Sequence, residues 1–227
     1  AERTAIVGAS AGTDISTAIN LAKSISNTRF RMVYPDSAIV PVSDSIGDVR
    51  EFLVDGTYLA SALVGNRVSP NRDVASPWTN SQLVGFSQLG RILDAVEQNQ
   101  VSVNGVTVLS DQAPFVRVRH GLTTDMTNVL TKTPTVIQIA DEVQKQSRAV
   151  LERFIGVKFL PGILSQVEGR MSQMFIGLVN AQIVAGYTGI SANVSADDPT
   201  VAEIEAYYSP VFPLLYLVVT FNLRSSV

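Results

Sequence analysis

Thr4-Ala5-Ile6-Val7 forms a short apolar run that ends at Gly8, and Ile15, Ala18, Ile19, Ala22 and Ile25 then recur at helical spacing behind Asp14. Period-3.6 repetition after a residue that caps helices well predicts strand, turn and helix over the first 25 residues. A second apolar run from Phe30 to Tyr34, stopped by Pro35, completes a βαβ unit. Small and apolar residues from Val54 to Val64 predict a helix packed closely on its neighbour. The stretch from Asn66 to Asn80, with Pro70, Asn71, Ser76 and Pro77, predicts a loop.

The segment from Leu83 to Val96 is expected to become helical towards its end, on Leu89, Ile92, Leu93 and Val96. Asn104-Gly105 between Val101-Ser102-Val103 and Val106-Thr107-Val108-Leu109 predicts a β-hairpin. Phe115 to Arg119 alternates as a strand. The β-branched run Val136 to Ile139 predicts another strand, followed by a helix from about Ala140 to Ile155. After Pro161, a stripe of Leu164, Val167, Met171, Met174, Phe175, Leu178 and Val179 predicts a long amphipathic helix.

Two strands are expected at the end, Val201 to Tyr208 and Leu214 to Leu223, separated by Pro210 and Pro213. The second is long and apolar where most chains fray, with Leu215, Leu217, Val219, Phe221 and Leu223 on one face. An unpaired strand of this kind exposes backbone donors and an apolar face together, so it is expected to pair within a sheet or link to a neighbouring subunit. The resulting fold class is α/β of the mixed α+β kind: a mixed β-sheet flanked by helices, with a terminal strand available for inter-subunit pairing.

Composition narrows the function. The chain has 227 residues, a formal charge of −3 and 16% charged residues, so it lacks the basic footprint of a nucleic-acid binder. Its apolar runs are interrupted well before the roughly 18 residues of a membrane span, which argues against membrane insertion. With no cysteine, disulfides, thiolate metal sites and thiol nucleophiles are all excluded. The chain opens on Ala1 without the basic and apolar regions of a signal peptide.

Gly8-Ala9-Ser10-Ala11-Gly12 matches G-x-S-x-G between a strand and a helix, the setting of a hydrolase nucleophile elbow. Such an elbow normally follows several strands, one of whose connections supplies the second oxyanion donor, whereas seven residues precede Gly8. His120 is the only histidine and follows a basic strand with no acidic partner nearby in sequence. As a phosphate cradle, the turn lacks the third glycine of G-x-G-x-x-G and the ending of a Walker loop. No catalytic, metal or cofactor residue is assigned. A small α/β hydrolase or nucleotide-binding enzyme using Gly8 to Gly12 is the alternative reading. Arg117 and Arg119 share one strand face with Phe115, which suits either a charged contact with another subunit or a solvated surface.

Several segments, in order, resemble the contractile tail sheath family of bacteriophages and related injection machines. They include Ala5-Ile6-Val7-Gly8, Met32-Val33-Tyr34-Pro35, Tyr58 to Gly65, Pro77-Trp78 and Val103-Asn104-Gly105-Val106. Arg117-Val118-Arg119-His120-Gly121-Leu122-Thr123-Thr124 follows, then Ile139-Ala140-Asp141 and Phe154-Ile155-Gly156.

The resemblance implies a non-enzymatic structural subunit, without cofactor, that forms hexameric rings stacked into a helical sheath around an inner tail tube above a baseplate. It implies contraction that drives the tube through a target envelope, in a virion tail assembled in the bacterial host cytoplasm. It also implies that the helix from about Gly162 to Ile183 faces the tube, with Arg170 at the contact. The expected organisation is a single sheath-core-like domain over 1–227, with 200–227 as a C-terminal strand pair or arm and the family's N-terminal arm lacking.

Overall fold

The computed structural model describes residues 3–45, 47–70, 72–112, 114–160 and 162–215. Strand β1 (Ala5–Gly8) leads through a tight turn into helix α1 (Ile15–Ile25). The Asp14 carboxylate accepts the Thr17 N–H at 2.8 Å, satisfying one of the unpaired donors at the helix start. Strand β2 (Phe30–Tyr34) returns parallel to β1, with Ala5 opposite Phe30 and Gly8 opposite Val33. The expected βαβ unit is present with its helix at the expected bounds.

Strands β3 (Ser37–Ser43) and β4 (Val49–Asp55) form a hairpin, and Asp55 then caps helix α2 (Gly56–Arg67) by accepting the Thr57 N–H at 2.8 Å. The helix expected on Leu89, Ile92, Leu93 and Val96 is corrected: short strands β5 (Gln82–Leu83) and β6 (Gln88–Leu89) occupy the start of that segment, Leu89 pairing with Ala38 of β3, and helix α3 is Ala95–Val103, which keeps only Val96 of the four. Strand β7 (Val106–Gln112) pairs parallel with β2 and antiparallel with β8 (Phe115–His120). Beyond them lie α4 (Val129–Lys132), α5 (Pro134–Leu151), a 3-10 turn at Glu152–Phe154, α6 (Ile163–Asn180), β9 (Val184–Val194) and β10 (Ala202–Pro210).

Two further expectations are corrected by this arrangement. The residues from Val101 to Val103 are the last turn of α3, so Asn104-Gly105 ends a helix instead of joining two strands. A reciprocal Asp94–Glu97 capping box starts α3, and Gly105 (φ +81) takes the left-handed conformation that suits a helix exit as well as a hairpin. The run Val136 to Ile139 is helical from the outset. Pro134 occupies the first turn, where its missing N–H is tolerated, and Val136, Ile139 and Val143 are all buried at helical spacing. Burial outweighs the modest β preference of that run.

The main sheet has strand order β1-β2-β7-β8-β5, with a second sheet β4-β3-β6 and a two-stranded sheet β10-β9. Alternate residues of β2 feed opposite cores: Val33 joins Leu59, Leu63 and Trp78 beneath α2, while Met32 and Tyr34 join Ala18, Ala22 and Val101 beneath α1 and α3. A third core packs α5 and α6 on β9 and β10, centred on Phe175, whose ring stacks on Tyr187 at 5.1 Å between centroids.

Candidate functional site

The Gly8–Gly12 turn is built for packing. A Cβ on Gly8 would lie 1.8 Å from the Gly56 carbonyl oxygen, so the glycine lets the start of α2 cross directly over the end of β1. Gly12 has φ +86, and its N–H donates to Asp36 Oδ2 at 2.6 Å; Tyr34 Oη donates to the Thr13 carbonyl at 3.1 Å. The donor that an anion would take is thus bound by a buried carboxylate of the same chain, which would repel phosphate. His120 lies at nearly the same level across the main sheet but three strands from Gly8, about 14 Å at the usual strand spacing. Burial, then the neighbouring Arg119, hold its imidazole below the ordinary value. The structure does not bring Ser10 and His120 together.

Arg117 and Arg119 are half-buried and engaged within their own subunit. Arg117 Nη1 donates to Asn80 Oδ1 at 3.1 Å; Arg119 donates to Gln98 Oε1 and, at 3.4 Å, to Asn99 Oδ1 on α3.

A polar node that sequence spacing did not reveal joins the sheet to α5. The Arg31 guanidinium, fully buried, sits 4.9 Å from the Trp78 ring centroid, and that of Arg67 sits 5.1 Å from the same centroid. Gln138 Oε1 accepts from both Arg67 Nη2 (2.8 Å) and Trp78 Nε1 (3.0 Å). Arg29 forms a two-pronged ion pair with Asp141. Desolvation, followed by repulsion from Arg67 and Arg29, lowers Arg31 to about 10; burial and then Arg72 lower Arg67 to about 10. These contacts link residues up to 112 positions apart, so no local motif announces them.

Helix α6 buries Val167, Met171, Met174, Phe175 and Leu178 and presents Gln166, Gly169, Arg170, Gln173 and Asn180 outward. Its two charged residues diverge in role. Glu168 Oε1 accepts the Ala192 N–H of β9 at 2.9 Å, whereas Arg170 is exposed and donates to Gln173 at 3.2 Å. The β9–β10 ribbon pairs with no other strand among the described residues, so each strand has an open edge. Leu215 follows β10 and is half-buried; Leu217, Val219, Phe221 and Leu223 lie outside the described residues. Among the described residues no helix is long and apolar enough to cross a membrane, and no group of three or more His, Asp or Glu is placed to hold a metal ion.

No family model matches the chain. The tail sheath protein of Mycobacterium phage Bxz1 is 28% identical over 229 residues, an alignment that covers 98% of this chain and 38% of that protein. The anti-feeding prophage baseplate in its contracted state contains a chain that superposes with a TM-score of 0.75 at 11% identity, over 98% of this chain and 65% of the other. The contracted helical sheath of the same prophage gives 0.73 at 12% identity, over 96% and 61%. This is the fold of contractile sheath subunits.

A crystal structure of a sheath tail protein from Desulfitobacterium hafniense shares the sheath fold more loosely, with a TM-score of 0.67 at 10% identity over 91% of this chain and 45% of the other. The likeness runs through the main sheet, α5, α6 and the β9–β10 ribbon, since it covers nearly the whole chain. The chain spans less than half the length of the curated relative it matches and at most about two thirds of these solved chains.

Proposed function

We propose that the chain is a structural subunit of a contractile tail-type sheath, which polymerises around an inner tube and contracts to drive that tube through a target envelope. The observation that carries this reading is the agreement of sequence and fold over 96–98% of the chain with a phage tail sheath protein and with a contracted helical sheath. Stacked hexameric rings, an inner tube and a baseplate are the partners this role requires, in a phage-type tail assembled inside the host cell. Its work is mechanical: two packings of the same subunits, separated by a barrier, store the energy in the lattice.

Two surfaces follow from the role. The outward face of α6 lies against the tube, with Arg170 as its charged contact, because Glu168 is already bound to β9. The apolar terminal strand carrying Leu215, Leu217, Val219, Phe221 and Leu223 links neighbouring subunits, and the open edges of the β9–β10 ribbon suit its receipt. Arg117 and Arg119 retain unused donors for a neighbour beside their internal bonds. Electron microscopy of the purified chain, alone and with a tube protein, is expected to show rings or tubes; a small monodisperse species under all conditions would refute the assembly. Val219→Pro removes one ladder donor and is expected to shorten or abolish the tubes while the fold, read by circular dichroism, persists.

A further inference from the structure

The hairpin of β3 and β4 pairs seven residues deep, from Ser37–Asp55 at its base to Ser43–Val49 at its tip. Strand β6 supports only Ala38 and Ile39. Beyond them, among the described residues, the ribbon has two strands and no third, an arrangement of marginal stability in water. Directly paired residues share a face. Val40, Phe52 and Val42 therefore lie on one side, and Ile39, Leu53 and Val49 on the other. Phe52 is 50% exposed, Leu53 67% and Val49 61%. A polar face opposite an apolar one would explain a solvated ribbon; apolar residues on both faces mark a ribbon that another surface covers.

A second uncovered apolar surface lies elsewhere on the molecule. The connection from α5 to α6 exposes Ile155, Val157, Phe159 and Leu160. Beneath it is a cleft of about 300 Å³ lined in part by Leu151, Phe154, Val167 and Ile204. The two surfaces differ in charge. Asp44, Asp48 and Glu51 give the ribbon a net negative character against Arg50, while Arg153 and Lys158 outweigh Glu152 along the α5–α6 connection itself. Apolar centres with opposite charge around them are the make-up of a specific interface.

We infer that the β3–β4 ribbon of one copy seats on the α5–α6 connection of a second copy, with Phe52 entering the cleft and Asp48 facing Lys158. The contact is heterologous: it uses two different patches, and so propagates into rings or helices instead of stopping at a two-fold dimer. This rests on the assembly reading above and names an interface within it that needs no terminal strand.

The chain has no cysteine, so single thiols report cleanly. Phe52→Cys and Phe159→Cys variants, mixed under assembly conditions and treated with a short bismaleimide, are expected to give crosslinked dimers that neither variant gives alone. Phe52→Asp should raise the concentration needed for assembly by about tenfold or more, as for loss of a central anchor. Lys158→Glu should raise it less, and Asp48→Lys in the same chain should reverse much of that rise. Because the charge pair leaves the apolar ribbon intact, it keeps the test valid if Phe52→Asp fails to fold. Dimers from Phe52→Cys alone would show ribbon meeting ribbon and overturn the docking. So would rings or tubes that form without the mixed crosslink, or Phe52→Asp assembling like the parent; either leaves the assembly reading standing. A parent chain that neither assembles nor crosslinks overturns both.

Discussion

Arg31 offers a test with a counterintuitive sign. Its guanidinium is fully buried, and its three side-chain nitrogens have no hydrogen-bond partner among the described residues; the Trp78 ring at 4.9 Å and the attraction of Asp141 offset part of the cost. Burial and two neighbouring arginines lower it to about 10. Measured from the ordinary value of a free arginine, at 1.36 kcal/mol for each tenfold change, that is about 3 kcal/mol of destabilisation carried by the charged form. A desolvated cation–π contact returns about 1–2 kcal/mol. Arg31→Met keeps a long unbranched side chain against the indole and removes the buried charge, so it is expected to stabilise the fold by about 1–2 kcal/mol.

Urea denaturation should show the midpoint rising with the slope unchanged. The linkage has a definite sign. A cation whose folded pKa is depressed destabilises fully below about 10, and the penalty is relieved as pH rises from there towards the unfolded value. The gain from Arg31→Met should therefore be constant through neutral pH and shrink above about 10. A loss of 1 kcal/mol or more at neutral pH would refute the reasoning, because removing a paired buried charge destabilises strongly.

Gly8→Ala should destabilise by at least about 1–3 kcal/mol, since the new Cβ meets the Gly56–Thr57 backbone at the start of α2; Gly169→Ala, with open space around it in mid-helix, should stabilise by up to about 1 kcal/mol. Thermal melts of the two variants in parallel check the contrast. Folding should weaken as pH falls below about 6.5: His120 has a folded value depressed by burial and by Arg119, so the unfolded state binds its proton more readily. His120→Gln should flatten that part of the stability profile, as read by denaturation at a series of pH values.

Local signals were legible where capping and periodicity agreed. Asp14 ahead of the Ile15–Ile25 stripe and the buried stripe of α6 both appear as their residues imply. The misses have separate causes. Pro41 argues against a strand, yet it sits in β3 beyond the reach of β6, where the open side of the strand needs no donor. Gly186 and Gly189 interrupt the alternation of β9, and Gly189 (φ +62) lies at a bulge beneath the Tyr207 ring. Val136 shows that a β-branched run is read correctly only once its burial at helical spacing is known. The node of Arg31, Arg67, Trp78 and Gln138 has no sequence signature at all, because its members come from β2, α2, a loop and α5.

On the proposed role, that node bears on how the subunit would transmit force. On the assembly reading, contraction moves subunits between two lattices, and work is delivered only if each subunit turns as one body. The sheet core and the α5–α6 core are separate apolar clusters, so apolar packing alone leaves their junction the weakest plane. Across that plane run the Arg29–Asp141 ion pair and the two bonds to Gln138. Hydrogen bonds and ion pairs are directional where apolar packing is not, so they resist rotation of one layer over the other. Between subunits the demand is the opposite, since contacts must be able to reform in a second register. Exposed apolar ribbons with charges at their rims meet that demand, for they bind strongly yet fix orientation through few directional bonds. On that reading, directional contacts across the junction inside the subunit, with the exposed apolar residues of the β3–β4 ribbon and the α5–α6 connection outside it, suit a rigid body in a rearranging lattice.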